Sequence, residues 1–456
     1  MTSINYAEDI DSLRFALSVR FDYNILEQRP HFPGYPVFCF LAKVLYTLTQ
    51  SISVSFSMIG SISIFLIIIL SEKIYRLLNF PSSSIFLKFL IFFNPFLWIL
   101  SNRYMSDLFG LSILMCIIFF LIKHIKNNSR KDLFAGFFIL GIAAGVRLSF
   151  LPFLFPILFY LFYKNKQQIH KMTFSLFCGV ILWLAPLILI TGPENIFNLM
   201  INDSYGHFNK WGGTVLSSKM NFSDRLISTI ESIWADGMSG YWPGRHWITI
   251  IISLSYIFLI IKSIHYVRLF ETKNVHILLI LSVICYFVWA FLFQNVAYKP
   301  RHIIPVLPFI FMIINIGFSA INKKQKYFIF LFSVISLITI SINLTSHHQN
   351  KKTAINQMKD YVVNRNIEKK AFYSSRLISD YMKAHQSNFG ALESYEIYNR
   401  DIVRQKYIDG YVIFSTENLD TTFFQKVKTI NFFHNPYVNR LWSKVVLNIY
   451  STKPIE

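Results

Sequence analysis

The chain is poor in acidic residues, in charge generally and in cysteine. Of 456 residues, 24 are Asp or Glu against 44 Lys or Arg, and charged residues make up 15% of the total. The four cysteines, Cys39, Cys116, Cys178 and Cys285, all lie in apolar segments without metal-ligand spacing. They read as small core residues, not as metal ligands or a disulfide framework. The region after the last apolar run has no cysteine, which excludes a disulfide there whatever its compartment. That region also has no glycine-rich phosphate loop and no triad signature. The chain shows no internal repeat of fixed period. Neither a signal peptide nor a first apolar span precedes its opening acidic stretch.

What the sequence has instead is apolar length. Hydrophobic residues make up 54%, with 47 Phe, against about 45–50% apolar in a soluble globule. The distribution decides the class. Uncharged runs such as Ser51–Leu70 approach the roughly 20 residues a helix needs to cross a bilayer, so the chain reads as a polytopic membrane protein. The net charge of +20 gathers between these runs. The positive-inside rule accounts for that without nucleic acid.

Candidate spans are Ser51–Leu70, Ile85–Leu100, Ser106–Ile122, Leu133–Val146, Leu148–Tyr163, Met172–Thr191, Trp247–Ile261, His276–Phe293, Ile303–Ala320 and Tyr327–Leu344. If each crosses once, the basic loops sort to one side, which is then cytoplasmic. These are Lys123/Lys126/Arg130/Lys131, Lys164/Lys166/Lys171, Lys262/Arg268/Lys273 and Lys323/Lys324/Lys326, with Lys73 and Arg76. The opposite, outer face receives the N-terminus, Asp107, the Arg147 turn, the loop Gly192–His246, the loop Gln294–His302 and everything after Thr345. The short run Val37–Thr49 would break this parity if it crossed, so it reads as an interfacial or re-entrant helix.

Three regions follow. Residues 1–50 hold an outer-face acidic loop and an interfacial helix. Residues 51–345 form the membrane bundle, with a large outer loop at 192–246. Residues 346–456 form an extracytoplasmic α/β domain. In that domain Thr353–Val363 reads as an amphipathic helix, and Ala371–Ser375, Gly410–Ser415 and Lys444–Ser451 read as strands. The fold class expected is therefore mainly α: a bundle of about ten transmembrane helices with interfacial helices, plus a small C-terminal α/β domain on the outer face.

Ionisable groups at the mouth of a membrane bundle are functional candidates. Glu8, Asp9 and Asp11 open the chain. A carboxylate there suits a general base toward a hydroxyl, or a divalent cation (Mg or Mn), or belongs to a solvated polar terminus. Asp9 and Asp11 point the same way in an extended loop but not on a helix. Asp107 stands where a span begins, which suits either catalysis or a helix N-terminus. Arg147 separates two short apolar runs. It is either a phosphate anchor, since guanidinium binds phosphate bidentately, or a snorkelling interface arginine. Arg301 and His302 enter a span from the outer side, against the positive-inside trend. In the large loop, Tyr205 to Thr214, which includes His207 and Trp211, and Trp242 to Trp247 mix aromatic and polar side chains. They suit sugar stacking or an interfacial belt.

These residues, in order, resemble a family. Asp11-Ser12-Leu13-Arg14-Phe15-Ala16-Leu17 followed by Arg29-Pro30-His31-Phe32-Pro33-Gly34-Tyr35-Pro36 resembles the first outer loop of the GT-C superfamily of membrane glycosyltransferases, nearest its bacterial protein O-mannosyltransferase-like branch. Asn94-Pro95-Phe96-Leu97-Trp98 with Ser106-Asp107 is similar to that branch's second acidic motif. Gly141 to Ser149, Gly206-His207-Phe208 with Trp211-Gly212-Gly213-Thr214, and Pro300-Arg301-His302-Ile303-Ile304-Pro305 complete the ordered set. It spans most of Tyr6–Ala320.

The resemblance implies transfer of a sugar from a polyprenyl-phosphate donor to an acceptor hydroxyl of a glycan, lipid or protein. It places the protein in the bacterial inner membrane. An outer-loop aspartate, Asp11 or Asp9, would be the base, with Asp107 the second acid. Arg147 and Arg301 would hold phosphate, and His302, His31, Tyr35, His207 and Trp211 would contact substrate. Two departures stand out. Phe32 replaces a more usual proline. The span that precedes the first acidic loop in the family has no counterpart here, which reads as a misassigned start, a truncation or a naturally short chain. A polysaccharide-lipid flippase would bind near the bilayer midplane and show repeats. An O-antigen polymerase or ligase would share the large outer loop but not the acid and Pro-Gly-Tyr-Pro clamp.

Overall fold

The structure is a computed structural model that describes residues 2–80, 83–267, 274–385, 390–394, 411–420 and 424–452. Arg268 and Lys273 of one basic loop, and Gly410 of one expected strand, lie outside the described residues. The chain divides into two compact units: Met1–Ser3 with Leu17–His347, and Ile4–Ala16 with His348–Glu456. Helix α1 (Ile10–Arg20) begins in the second unit and ends in the first.

The larger unit is helical. It holds α2 (Pro36–Thr49), α3 (Ile52–Leu77), α4 (Ile85–Phe92), α5 (Pro95–Asn102), α6 (Asp107–Asn127), α7 (Arg130–Ala144), α8 (Phe155–Lys164) and α9 (Ile169–Thr191). After these come α10 (Pro193–Asn209), α11 (Phe222–Glu231), α12 (Thr249–Val267), α13 (Asn274–Phe293), α14 (Leu307–Ser319) and most of α15 (Lys323–Asn350). Among the described residues, six helical segments are long and apolar enough to cross a membrane, and seven if the bent pair α4–α5 is one span. They begin at Ile52, Asp107, Lys166, Asn274, Pro300 and Lys323. The protein is a multi-pass membrane protein.

Local chemistry explains where the apolar runs break. The run Ile85–Leu100 is not one straight helix but two, bent by 51°. Asn94 caps α5 by accepting the Leu97 N–H at 2.9 Å, and Pro95 has no N–H with which to continue α4. The run after Arg147 starts as a 3₁₀ segment, Leu148–Leu154, that contains Pro152, and becomes α-helical only at Phe155. Helix α2 starts on Pro36 at its first turn, where a missing N–H costs nothing. The segment from Pro300 has 78% of its apolar window buried, against 11% for the segment from Lys166. The former is therefore a central element, and the latter presents its side chains outward, as a lipid-facing helix does.

The smaller unit is α/β. Helices α16 (Ala354–Val363) and α17 (Arg376–Ala384) pack on a five-stranded sheet. Its strands are β1 (Lys370–Ser375), β2 (Gly390–Ser394), β3 (Val412–Ser415), β4 (Phe424–Phe433) and β5 (Lys444–Thr452), in the order β2-β1-β3-β5-β4. β1 pairs in parallel with β2 and β3, while β5 pairs antiparallel with β3 and β4. Ala371, Tyr373, Ile413, Leu419, Phe424 and Tyr450 form one buried cluster. β2 and β4 are the edge strands, and β4 is the longer. The exposed Lys426 and Lys428 of β4 suit an edge, since charge discourages edge pairing.

Candidate active site

In the larger unit the strongest constellation is built on Asp107. Asp107 is the first residue of α6 and does not cap it. Its Oδ1 lies 2.7 Å from Arg147 Nη2 and 3.7 Å from Arg301 Nε. The three residues are 1%, 5% and 4% exposed. Arg147 stands in extended conformation between α7 and the Leu148–Leu154 segment, and Arg301 lies in the 3₁₀ segment Pro300–Val306. Arg147 Nη1 also donates to Ser106 Oγ at 3.2 Å, and its guanidinium lies 5.1 Å from the Phe150 ring centroid. Sequence reasoning named Asp107, Arg147 and Arg301 separately, and the structure brings them together.

Gly110, one turn after Asp107, makes this approach feasible. A Cβ there would lie 2.9 Å from Arg147 Cβ. No local pattern marks its role beyond the spacing of three from Asp107. A small cavity of about 10 Å³, room for about one water, is lined by Gly110, Leu114, Ile117, Ala143, Val146, Arg147, Phe150 and Leu151. Arg147 is the charged member of an otherwise apolar lining.

Two guanidiniums converging on one carboxylate suit an anion. Arg147 Nε is a buried donor without a hydrogen-bond partner, and such a donor is where an anionic ligand's oxygen fits. A divalent cation does not fit here, because both neighbouring arginines repel it. Among the described residues no group of three or more His, Cys, Asp or Glu could hold a metal. His302 follows Arg301 and is buried, and its carbonyl accepts the Tyr286 hydroxyl at 2.8 Å.

The structure places the other candidates in the larger unit separately. In the Pro/Gly clamp, Tyr35 Oη and His31 Nε2 share a hydrogen bond at 3.2 Å. The clamp is fixed by Tyr23, whose hydroxyl donates to the Gly34 carbonyl at 2.9 Å. Gly34 has φ +88°, and a Cβ there would meet Tyr23 Oη at 2.3 Å, so no other residue fits. His207 Nε2 donates to the Phe293 carbonyl at 2.8 Å, at the C-terminus of α13. Burial in this loop pushes its pKa down, because the charged form is desolvated. Arg225, buried on α11, donates to the carbonyls of Phe291, Gly213 and Gln294 at 2.6–3.0 Å. His207 and Arg225 thus satisfy carbonyls at the end of α13 that the helix leaves open. Trp211 is 60% exposed. Sequence reasoning missed Arg225, and it missed Asp236 paired with Arg245 at 2.6 Å in the 192–246 region. A lone charge on an amphipathic loop helix was the available signal.

The acidic opening belongs to the smaller unit and is not a solvated terminus. Glu8, Asp9 and Asp11 are 1%, 1% and 8% exposed. Asp9 caps α1. Its Oδ1 accepts the Ser12 N–H at 2.9 Å, and Ser12 Oγ accepts the Asp9 N–H at 3.0 Å, a reciprocal box that satisfies two otherwise open donors. Asp11 lies in the first helical turn. The two aspartates therefore do not sit on an extended loop pointing the same way.

This architecture, a multi-pass helical unit and a small α/β unit, is a fold already seen in solved structures. In particular the chain is similar to ArnT from Cupriavidus metallidurans bound to undecaprenyl phosphate, with TM-score 0.56, 10% identity, and 97% of this chain and 95% of that one covered. Against apo ArnT from the same organism the TM-score is 0.57 at 9% identity, over 98% and 94% of the chains. No family model and no curated protein matches the sequence. At this identity the likeness is one of fold.

Proposed function

We propose that this chain is a membrane glycosyltransferase that moves a sugar from a polyprenyl-phosphate donor to an acceptor hydroxyl on the extracytoplasmic face of a bacterial inner membrane. The observation that carries the reading is the buried Arg147–Asp107–Arg301 cluster beside an apolar cavity. A phosphate on a prenyl tail has the matching chemistry: an anion for the guanidiniums and a hydrocarbon for the apolar side chains around Arg147. The fold supports the reading, and so does the undecaprenyl phosphate bound by ArnT. The ordered motifs favour the O-mannosyltransferase-like branch, with a glycan, lipid or protein as acceptor.

The roles follow from charge. Arg147 and Arg301 hold the donor phosphate, and Asp107 orients their guanidiniums. The acceptor oxygen forms a bond to the anomeric carbon while the bond from that carbon to the phosphate oxygen breaks. The leaving phosphate keeps the electron pair, and the guanidiniums stabilise it. The acceptor proton passes to a carboxylate. Asp11 is the base assigned here and Asp9 its alternative. His31, Tyr35, His302, His207 and Trp211 are the further candidate substrate contacts. About ten crossings are proposed, which put the N-terminus and the C-terminal domain outside. That residues 4–16 and 348–456 share one unit supports placing both on one side.

The test is a transfer assay in membranes from cells producing the chain, with a panel of radiolabelled polyprenyl-phosphate sugars. Label should move to an acceptor from one donor and not in an Arg147→Ala variant. No transfer from any donor rejects the reading.

A further inference from the structure

The first residues of the smaller unit are held by residues far away in sequence. Glu8 Oε1 accepts from His348 Nε2 at 2.9 Å, and the two side chains are 1% and 0% exposed. The Glu8 carbonyl accepts the Thr353 hydroxyl at 3.0 Å, and the Ala7 carbonyl accepts the Tyr381 hydroxyl at 2.9 Å. Tyr6 donates its hydroxyl to the His348 carbonyl at 2.6 Å. Asn439 donates to Asp9 Oδ2 at 3.4 Å, and Arg14 lies 3.8 Å from Asp380. The partners are 340 to 430 positions away for Glu8 and Asp9.

The partner residues are themselves fixed. His434 Nδ1 accepts the Ala354 N–H at 2.9 Å and its Nε2 donates to the Asn439 carbonyl at 2.7 Å, which orders the turn carrying Asn439. Asn356 Nδ2 donates to Tyr381 Oη at 2.9 Å. Buried polar contacts linked in this way favour one geometry.

We propose that the C-terminal domain is a positioning device for the N-terminal carboxylates. His348, Tyr381 and Asn439 are positioning residues. They fix the backbone of residues 6–9 and the start of α1, and so the first turn that carries Asp11. Glu8 is engaged by His348, and Asp9 by Ser12 and Asn439, so these two carboxylates serve the hold. The catalytic part of this inference rests on the reading of Asp11 as the base.

The test uses the full chain in nanodiscs as wild type, His348→Ala, His348→Gln and Tyr381→Phe. Hydrogen exchange of amides 4–16 should quicken in His348→Ala and Tyr381→Phe. It should return toward wild type in His348→Gln, whose amide still offers a donor to Glu8. Exchange in α6 and α13 should not change. In the transfer assay kcat should fall about 10²-fold in His348→Ala, the scale of a 1 Å misplacement. Donor KM and affinity for undecaprenyl phosphate should stay as in wild type, and His348→Gln should recover part of kcat. Unchanged exchange at 4–16 in both His348→Ala and Tyr381→Phe overturns the proposal. So does quickened exchange with an unaltered kcat. A wild-type chain inactive with every donor instead overturns the glycosyltransferase reading and the catalytic half of this proposal, while the exchange measurement still decides the structural half.

Discussion

Arg147 and Asp107 form a buried ion pair, Nη2 to Oδ1 at 2.7 Å, that ties the break after α7 to the first residue of α6. Burying two charges costs free energy that their mutual attraction only partly returns, so such a pair is weak evidence for stability. A second guanidinium on the same carboxylate, Arg301 at 3.7 Å, makes less sense still as a stabilising device. It makes sense as an anion site whose arginines must keep a fixed direction.

Replacing Arg147 by Ala should weaken binding of undecaprenyl phosphate about 10- to 100-fold, since a hydrogen bond to a charged group contributes about 1.5–3 kcal/mol. Arg147→Lys should recover only part, because an ammonium offers no planar fork. Ligand-induced thermal shift in detergent would measure this, and equal affinity in wild type and Arg147→Ala would reject the phosphate role.

Gly110→Val should mimic that loss without removing a charge. Its added carbons meet Arg147 Cβ at 2.9 Å and the Phe150 ring at 3.3 Å. Overpacking of this kind costs about 1–3 kcal/mol. A variant with wild-type melting and wild-type lipid affinity would show that the approach of α6 to Arg147 is not tight.

Asp9 and Asp11 should separate by variant type. Asp9→Asn keeps a good N-cap, whereas Asp9→Ala should cost about 1 kcal/mol of stability. Asp11→Asn should lower turnover about 10²–10⁴-fold with the protein folded, as loss of a general base does. If Asp9→Asn is the inactive variant instead, the base moves by two residues.

In a cysteine-free background, Lys351→Cys should react with an impermeant thiol reagent added outside intact cells, and Lys324→Cys should not. Labelling of position 351 only after lysis would reverse the proposed orientation and with it the site of transfer.

His385 should make stability pH-dependent. Burial lowers its pKa, aided by Lys359, although its hydrogen bond to the Tyr381 carbonyl and the Asp360 charge oppose the shift. The unfolded state then binds the proton more readily, so this contribution is present above the unfolded value of about 6.5 and lost as pH falls through it. The melting temperature should drop between pH 7.5 and 5.5, and His385→Gln should flatten that drop. An unaltered pH profile in the variant would assign the effect elsewhere.

Sequence by itself determined the membrane class, the helical character of all ten apolar runs, and most of the C-terminal elements, because hydrophobic length and periodicity are local properties. β1, β3, β5 and α16 were legible in this way. β4 was not, since its polar run Gln425-Lys426-Val427-Lys428 becomes a strand only by pairing with β5. Asp107, Arg147 and Arg301 were each visible as charges at span ends. That they meet on one carboxylate is set by helix packing and by Gly110, which no local pattern encodes. The acidic opening shows the same limit most clearly. Beyond the local Asp9–Ser12 cap, its partners lie far away in sequence, and only the folded unit supplies His348, Tyr381 and Asn439 from the far end of the chain.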